Sequence, residues 1–387
     1  MSSPSTPLRS RAWVDVDLDA LVRNLRRVRE AAGPGAVVVP MVKADAYGLG
    51  LRPVADALRR ALEPHGPWAF GVAAVAEGEA LRDAGWTGRV LLSAPTPPDE
   101  LPRAARAGLT PSVSELEALR RWAELADAEG RRLPFHLEVD TGMGRAGLPW
   151  TEAAEWGAEA ARIAAGVLFW EGCFTHFHSA DEPDLAATDR QWERFRHALS
   201  LLPEAAEGDP PRVVHTSNSA ASLRRADYGC DLVRPGIFLY GGMAGADVHP
   251  EPVASVRARL ALVRRVPAGT SVGYGSTYTA SGDEVWGTAA IGYGDGLRRA
   301  LGASGGEAIV RGVRVPIVGR ISMDVSVLNL SRVPGARAGD VATFIGRDGG
   351  EEIRVDEVAE RCGTISYEIL TGLTQRLPRV YLQAGSP

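Results

Sequence analysis

The sequence is almost devoid of lysine. Lys43 is the only lysine among its 43 lysine and arginine residues, so arginine occupies every other position of this kind. The two side chains serve about equally well as surface charge, but an ammonium can lose its proton when desolvated, whereas a guanidinium stays protonated. A single lysine is therefore expected where an amine is needed, for chemistry such as imine formation with a carbonyl. The alternative interpretation is that this lysine is present by chance in an arginine-biased sequence.

Other absences exclude several classes of protein. The three cysteines, Cys173, Cys230 and Cys362, lie far apart without metal or disulfide spacing, so no metal site is expected and the chain suits a reducing cytoplasm. No block of basic residues predicts binding to nucleic acid or anionic lipid, and the net charge is −5. No apolar run is long enough to span a membrane, and the Ser/Pro-rich start at Met1–Ser10 shows no secretory signal.

Short apolar runs alternate with amphipathic stretches over the first part of the chain. The eight runs are Val37–Val42, Ala69–Val75, Val90–Ala94, Leu109–Val113, Phe135–Val139, Trp170–His176, Val213–Thr216 and Leu232–Ile237. Alternating β and α units predict parallel strands with right-handed crossovers, and eight of them fit a (β/α)8 barrel of the α/β class. A doubly wound sheet would also fit, but no glycine-rich dinucleotide turn follows the first strand.

The pattern changes after Tyr240-Gly241-Gly242. Pro250-Glu251-Pro252 is typical of a linker, and from Val253 onward the runs are short, β-rich and interrupted by glycine. These features predict a barrel over residues 13–245 and a second, mostly β domain over residues 246–387. An alternating run near residues 12–17 predicts a strand that can pack with the second domain, and Asp19 is expected to cap the helix that follows.

Polar residues follow the predicted barrel strands at one end. The active site of a barrel enzyme lies at the carboxyl ends of its strands. The residues placed there are Lys43, Tyr47, Glu138, Arg145, His176, Ser219, Arg234, Gly236 and Ile237. Ser219 at a helix start and the N–H groups beside Gly236 would form a phosphate cradle. Taken alone, His176 is more often a structural histidine and Arg145 a salt-bridging arginine, but their shared position at one end of consecutive strands favours a site.

Eight stretches of the sequence resemble the bacterial alanine racemases, from about Trp13 to Tyr381. They are Val42–Gly48, Asp140–Arg145, His215–Ala220, Val233–Ile237, Gly273–Tyr278, Ile291–Gly296, Gly319–Asp324 and Ile365–Leu370. Together, the stretches around Lys43 and Tyr274 are highly specific for this family. Either one alone would not separate racemases from decarboxylases that share the fold-type III barrel.

The resemblance implies an enzyme that interconverts L- and D-alanine through a pyridoxal 5'-phosphate imine and supplies D-alanine for peptidoglycan. It also implies a homodimer with shared active sites. Lys43 would hold the cofactor and act as the base on the D side, and Tyr274 of the partner subunit would be the base on the L side. Arg145 and the backbone N–H of Met323 would bind the substrate carboxylate.

The resemblance further implies a cofactor shell and an entrance. The phosphate would be held by Tyr47, Ser219, Gly236, Ile237 and Tyr367. His176 would lie beside the tyrosine base, and Arg234 would face the pyridine nitrogen, leaving it unprotonated and the ring a weaker electron sink. The entrance would be narrowed by Tyr274 and Tyr367 and lined outside by Asp181, Tyr293, Arg298 and Arg320.

Glu138 departs from the pattern of this family. Many members carry at this position a lysine whose carbamylation makes it an anion. A carboxylate is negative without carbon dioxide, so Glu138 is expected to orient Arg145 by a charge-assisted hydrogen bond, and Arg145 to keep it charged.

Other functions compete with alanine racemisation. A racemase of the same fold acting on serine or a larger amino acid stays open. The carboxylate clamp at Arg145 and the base at Tyr274 argue against a decarboxylase. The second domain and Tyr274 argue against a cofactor carrier without turnover.

Overall fold

The computed structural model describes residues 10–33 and 37–383. The Ser/Pro-rich start, for which no secretory signal is predicted, lies outside the described residues up to residue 9. The first strand, β1, spans Ala12–Asp17, and the first helix, α1, spans Leu18–Ala32. Asp17 caps α1, because its Oδ1 accepts the N–H of Ala20 at 2.8 Å. The prediction of Asp19 as the cap is therefore wrong: the strand ends at Asp17, so Asp19 already lies in the first helical turn.

A barrel of parallel strands forms the first domain. Its strands are β2 (Val37–Val38), β3 (Ala69–Val72), β4 (Arg89–Leu92), β5 (Thr110–Val113), β6 (Leu133–Asp140), β7 (Leu148–Pro149), β8 (Leu168–Phe174), β9 (Val213–His215) and β10 (Leu232–Val233). They pair in the order β2-β10-β9-β8-β6-β5-β4-β3, and the short β7 pairs only with β6. A parallel bridge between Met41 and Gly71 joins the two ends of this order. The predicted (β/α)8 barrel is confirmed.

Helices pack outside the barrel between these strands. They are α2 (Leu51–Ala61), α3 (Val75–Asp83), α4 (Leu101–Arg106), α5 (Leu116–Glu129), α6 (Ala153–Ala164), α7 (Ala186–Leu201) and α8 (Ser219–Arg224). Their buried faces carry apolar residues at helical spacing, such as Val54, Ala57 and Leu58 in α2. In the part of the chain that the structure describes, no helix combines the length and apolar character needed to cross a membrane.

The second domain is built around a mostly antiparallel sheet. Its strands are β11 (Ala254–Val266), β12 (Ser271–Val272), β13 (Tyr278–Thr279), β14 (Glu284–Ala289), β15 (Glu307–Val310), β16 (Val313–Pro316), β17 (Ser326–Asn329), β18 (Val341–Asp348), β19 (Glu351–Ile353) and β20 (Arg379–Leu382). Two helices follow β19: α9 (Val355–Arg361) and α10 (Ser366–Thr371). β1 lies in this sheet, antiparallel to β11 and parallel to β20, so both ends of the described chain are tied into it.

One predicted run of the second domain is divided in two. The glycine-interrupted run over Ala308–Val318 forms two strands, because the chain turns back between β15 and β16. Arg311 and Gly312 both have positive φ, 52° and 76°. A two-residue connection with positive φ at both positions matches the right-handed twist of a β-hairpin.

Candidate active site

A cavity of about 470 Å³ opens at the carboxyl ends of the barrel strands. Ile365 and Tyr367 of the second domain form part of its wall. Ten residues proposed from the sequence line it: Lys43, Tyr47, Glu138, Arg145, His176, Asp181, Ser219, Arg234, Gly236 and Tyr367. The expected gathering of these side chains at one end of the barrel is therefore seen in the structure.

The segment after Lys43 makes a left-handed turn. Ala44, Asp45, Ala46 and Tyr47 have φ values of 53°, 54°, 53° and 56°. Left-handed helical geometry costs L-residues roughly 1–2 kcal/mol each, so four in succession need support from outside the segment. Such strain is most often found at functional sites.

Contacts from both domains hold this turn. Glu77, in the first turn of α3, accepts the N–H of Ala44 on its Oε1 at 2.6 Å. Arg379 of β20 donates to the carbonyl of Gly48 at 2.7 Å through Nη2. Gly48 has a φ of 80°, and a Cβ there would lie 2.6 Å from the carbonyl oxygen of Leu370. The conformation of the lysine segment is therefore fixed by residues distant in sequence.

Burial and charge both act on the Lys43 amine. Desolvation lowers its pKa from the ordinary value of 10.5, and the positive charges of Arg145 and Arg234 lower it further. The carboxylate of Glu77 opposes this shift. More of the amine is thus neutral near pH 7 than for an exposed lysine, as a nucleophile or base requires.

A polar pocket suited to phosphate lies beside the lysine turn. The Tyr47 ring stacks on Tyr240 with centroids 4.4 Å apart, and the Tyr240 hydroxyl donates to the carbonyl of Met41 at 2.7 Å. The N–H of Gly236 donates to Ser219 Oγ at 2.8 Å. A Cβ at position 236 would lie only 2.2 Å from the Tyr47 hydroxyl oxygen, so only glycine lets these groups approach so closely.

Two further residues are predicted to hold the phosphate, and Tyr367 is the one that borders the cavity. Tyr367 lines the cavity, and its ring centroid is 5.9 Å from that of Tyr47. Ile237 follows Gly236 at the start of a short 3-10 turn, and its side chain is buried in the core. The predicted role of Ile237 therefore stays a prediction for its backbone, which lies next to Gly236.

Arg234 is a buried cation at the cavity floor. Its Nη1 donates to His215 Nδ1 at 2.5 Å, and Nη2 donates to the carbonyls of Thr175 and Thr216 at 2.9 and 3.0 Å. Burial lowers its pKa to about 10, so it stays positively charged at neutral pH. Within residues 10–33 and 37–383, its Nε–H has no hydrogen-bond partner, although Arg234 lines the cavity. This donor is available to a ligand.

His176 is neutral in this environment. Burial, followed by the charges of Arg234, Arg145 and Lys43, lowers its pKa to about 3. The histidine expected beside the tyrosine base therefore supplies hydrogen-bonding capacity, and the positive charge around it comes from Arg234, followed by Arg145 and Lys43.

Glu138 and Arg145 do not form the expected direct hydrogen bond. Glu138 is buried, and its Oε2 accepts the hydroxyl of Ser114 at 3.2 Å. Arg145 is exposed, between the main cavity and a second cavity of about 230 Å³, and no ion pair of 4.0 Å or less joins it to Glu138 among the described residues. Burial raises the pKa of Glu138 despite the opposing effects of Ser114 and Arg145, contrary to the expected lowering.

Five predicted residues of the second domain do not line the cavity of their own chain: Tyr274, Tyr293, Arg298, Arg320 and Met323. Tyr274 lies at the tip of the β12–β13 hairpin and is 70% exposed, and Met323 is 52% exposed. Arg298 pairs with Glu368 at 3.2 Å. A Cβ on Gly275 would lie 2.9 Å from Arg320, so Arg320 lies against the loop that carries Tyr274.

Two models of known families match the chain in succession. The alanine racemase N-terminal domain matches residues 16–244, and the alanine racemase C-terminal domain matches residues 253–381. The chain belongs to the alanine racemase family.

Alanine racemases of known sequence and structure resemble the chain over nearly its full length. The alanine racemase of Desulfosudis oleivorans is 37% identical over 387 residues, covering 97% of each chain. The crystal structure of alanine racemase from Bacillus anthracis with bound L-Ala-P has 35% identity and a TM-score of 0.87, over 98% of this chain and 97% of that one. The Bartonella henselae enzyme with covalently bound pyridoxal phosphate has 28% identity and a TM-score of 0.85, over 96% and 100%.

Several residues that support this site were not predicted from the sequence. Glu77 supports the turn after Lys43, Ser114 binds Glu138, and His136 and His215 form a hydrogen-bonded pair behind Arg234. Glu77 occupies the third position of its helix, which is typical of a capping residue, but its contact with Ala44 spans 33 residues. His136 lies within a barrel strand. A polar residue that faces the barrel interior can be recognised only once the strand register is known.

Proposed function

We propose that this protein interconverts L- and D-alanine with pyridoxal 5'-phosphate as its cofactor. The observation that carries the proposal is the position of Lys43. The only amine side chain of the sequence lies in the barrel cavity with a lowered pKa, beside a glycine-dependent polar pocket and a buried arginine. The chain matches both domains of the alanine racemase family around this arrangement.

The residues of the cavity fit the cofactor. Tyr47, Ser219, Tyr367 and the backbone of Gly236 and Ile237 would hold the phosphate, in a space that a Cβ at position 236 would fill. Lys43 would hold the cofactor covalently through Nζ. The unpaired Nε–H of Arg234 would donate to the ring nitrogen. When bound, the cofactor supplies an electron-withdrawing ring that acidifies the α-carbon proton of an attached amino acid.

Racemisation requires two groups that exchange protons on opposite faces of the α-carbon. Lys43 accepts or returns the proton at Nζ on the D side, since its lowered pKa leaves a neutral amine available. Tyr274 of the partner subunit does the same at its hydroxyl on the L side. The guanidinium of Arg234, behind His176, would place positive charge near this hydroxyl and so stabilise negative charge on its oxygen.

Arg145 and the backbone N–H of Met323 bind the substrate carboxylate. Arg145 lines the cavity with an exposed guanidinium. Met323 lies in an exposed loop, where its carbonyl accepts the N–H of Gly294 at 2.9 Å while its own N–H has no partner among the described residues. Glu138 acts on Arg145 at longer range by its charge.

The functional unit is a homodimer with shared active sites. This assignment is supported by the exposure of Tyr274 and Met323, which do not reach the cavity of their own chain. The partner's second domain would bring both to the cavity. Tyr293, Arg298 and Arg320 would line the path outside, with Asp181 already in the cavity wall. The cytoplasm is the proposed compartment, in keeping with three free cysteines.

The circular dichroism of the amino acid tests the proposed activity. Purified protein with pyridoxal 5'-phosphate should abolish the signal of L-alanine, because a racemic mixture has none. L-serine in a parallel reaction should racemise more slowly. Retention of the L-alanine signal, or a faster loss with L-serine, would contradict the assignment.

Borohydride reduction tests the attachment site. Reduced holoenzyme should carry the cofactor on Lys43 alone, and Lys43→Arg should lose the absorbance of the bound cofactor, since a guanidinium does not form this bond. Labelling of the N-terminal amine instead of Lys43 would exclude the proposed attachment.

A further inference from the structure

A chain of hydrogen bonds runs from Arg234 through the barrel interior to its far end. Arg234 Nη1 contacts His215 Nδ1 at 2.5 Å, and His215 Nε2 contacts His136 Nδ1 at 2.8 Å. His136 Nε2 contacts Glu171 Oε2 at 3.3 Å, and Glu171 Oε1 accepts Arg89 Nε–H at 2.9 Å. Both histidines are fully buried and Glu171 is 6% exposed, whereas about half of the Arg89 side chain is exposed. We refer to these five residues as the barrel relay.

The barrel relay connects the cofactor cavity with the amino-terminal end of the strands. Arg234 lines the cavity, and His215 is the last residue of β9. His136 and Glu171 lie four residues into β6 and β8, and Arg89 is the first residue of β4. None of the residues beyond Arg234 lines the cavity, so the hydrogen bonds of the barrel relay reach a ligand there through Arg234.

The direction of every hydrogen bond in the barrel relay is fixed by its two ends. An arginine can only donate, and an ionised carboxylate can only accept. His215 must therefore accept from Arg234 on Nδ1 and carry its proton on Nε2, which donates to His136 Nδ1. His136 must in turn carry its proton on Nε2, which donates to Glu171. A cationic form of either ring would place two N–H groups against each other.

We propose that Glu171 is a positioning residue that fixes the tautomers of His136 and His215 and thereby the orientation of the Arg234 guanidinium. The unprotonated Nδ1 of His215 accepts a hydrogen bond from Arg234 Nη1. This contact holds the guanidinium with its unpaired Nε–H toward the cavity. The tautomer assignment stands on the protein's own contacts. Its consequence for the ring nitrogen of the cofactor rests on the proposed function.

Glu171→Gln separates this role from simple packing, because it keeps the shape and adds a donor. The amide can present its NH₂ to His136 Nε2, which then must accept. The proton of His136 moves to Nδ1, His215 is forced to the opposite tautomer, and its Nδ1–H opposes Arg234. Glu79→Gln is the matched control, since Glu79 also pairs with an arginine, Arg103, at 2.6 Å, but on the surface.

Nitrogen-15 NMR of histidine-labelled protein reads the tautomers directly and needs no turnover. His136 and His215 should both be neutral with the proton on Nε2, with and without cofactor, in the wild type and in Glu79→Gln. Glu171→Gln should show a second tautomer at both rings. A proton on Nδ1 or an imidazolium at either wild-type ring, or unchanged tautomers in Glu171→Gln, would overturn the proposal.

The ring nitrogen of ¹⁵N-labelled pyridoxal phosphate gives the second readout. It should be unprotonated in the wild type and partly protonated in Glu171→Gln, with kcat lowered roughly ten-fold and KM for alanine little changed. An unchanged ring-nitrogen signal would overturn the link to Arg234. A protein with the stated tautomers and no racemase activity would instead refute the proposed function and leave the tautomer assignment standing.

If Glu171→Gln does not fold, Arg89→Met tests the role of Glu171 instead. It removes the ion pair at the exposed end, and His136 is then the remaining side-chain partner of Glu171 among the described residues. Glu171 should therefore take up a proton at a higher pH than in the wild type and become a donor. The tautomers should then begin to exchange at a higher pH than in the wild type. An identical pH profile would overturn the proposal.

Discussion

Glu77 Oε1 lies 2.6 Å from the backbone nitrogen of Ala44, the residue after Lys43. The other carboxylate oxygen accepts the N–H groups of Ala73 and Ala74 at 2.8 and 3.1 Å. One carboxylate therefore joins the start of α3 to the left-handed turn that places the lysine. It also raises the pKa of Lys43 against the effect of burial.

Glu77→Gln should weaken the site in two measurable ways. The amide NH₂ faces backbone donors, so the turn loses support and the dissociation constant for pyridoxal 5'-phosphate should rise roughly ten-fold, about the loss of one charged hydrogen bond. Loss of the negative charge should also lower the pKa of Lys43, measured from the pH dependence of its reaction with an aldehyde. Glu79→Gln, in the same helix, should change neither quantity. Wild-type cofactor affinity in Glu77→Gln would show that Glu77 does not support the cofactor site.

Gly236→Ala tests the phosphate pocket. Its Cβ would lie 2.2 Å from the Tyr47 hydroxyl oxygen, so the pocket must open or the tyrosine must move. We expect at least a ten-fold rise in the cofactor dissociation constant, measured by fluorescence titration, which corresponds to roughly 1.4 kcal/mol. Gly282→Ala is the control, because a Cβ there meets nothing within 4 Å. Equal affinities in the two variants would show that position 236 does not border the phosphate.

Glu138→Gln should raise KM for alanine and stabilise the fold. Arg145 would lose a nearby negative charge, so substrate should bind less tightly while cofactor affinity changes little. Because burial raises the pKa of Glu138, the folded state holds its proton more tightly than the unfolded state does. At pH values above the raised pKa, the buried charge of Glu138 therefore lowers the free energy of unfolding. This destabilisation disappears as the pH falls through the raised pKa toward the pKa of the unfolded state.

The melting temperature of Glu138→Gln should accordingly exceed that of the wild type at pH 8, and the two should converge toward pH 4. Glu155→Gln, at an exposed position, should follow the wild type at both pH values. The native enzyme should not respond to bicarbonate at fixed pH, since Glu138 needs no carbamylation. Wild-type KM in Glu138→Gln, or stimulation by bicarbonate, would contradict the assigned role.

Mixed dimers test the shared site. Lys43→Ala and Tyr274→Phe proteins should each be inactive, and mixing them should restore partial activity, because one hybrid site receives both intact residues. Mixing each variant with itself is the control. Absence of recovery after subunit exchange, verified by mass spectrometry of differently tagged chains, would exclude a site built from two chains.

The sequence was sufficient for the barrel and for the residues at the carboxyl ends of its strands. Apolar runs and the polar residues that follow them are local signals, and a parallel barrel brings all such ends together. The left-handed turn was not predictable, because Ala44 and Ala46 have no intrinsic preference for positive φ and the turn is held by Glu77 and Arg379.

Side-chain partners were harder to infer than positions. The expected pair of Glu138 and Arg145 was inferred from charge alone, whereas the structure joins Glu138 to Ser114, 24 residues earlier. His136 and Glu171 lie inside strands as isolated polar residues, and their connection to Arg234 depends on strand register. Contacts of this kind are set by the assembled fold.

Hydrogen exchange at the α-carbon in deuterated water tests most directly whether Lys43 and Tyr274 serve opposite faces. Tyr274→Phe keeps only the base assigned to the D side. This variant, followed by proton NMR, should exchange the α-hydrogen of D-alanine for deuterium without forming L-alanine, and should leave L-alanine unlabelled. Exchange into L-alanine, or equal exchange into both enantiomers, would contradict the two-base account.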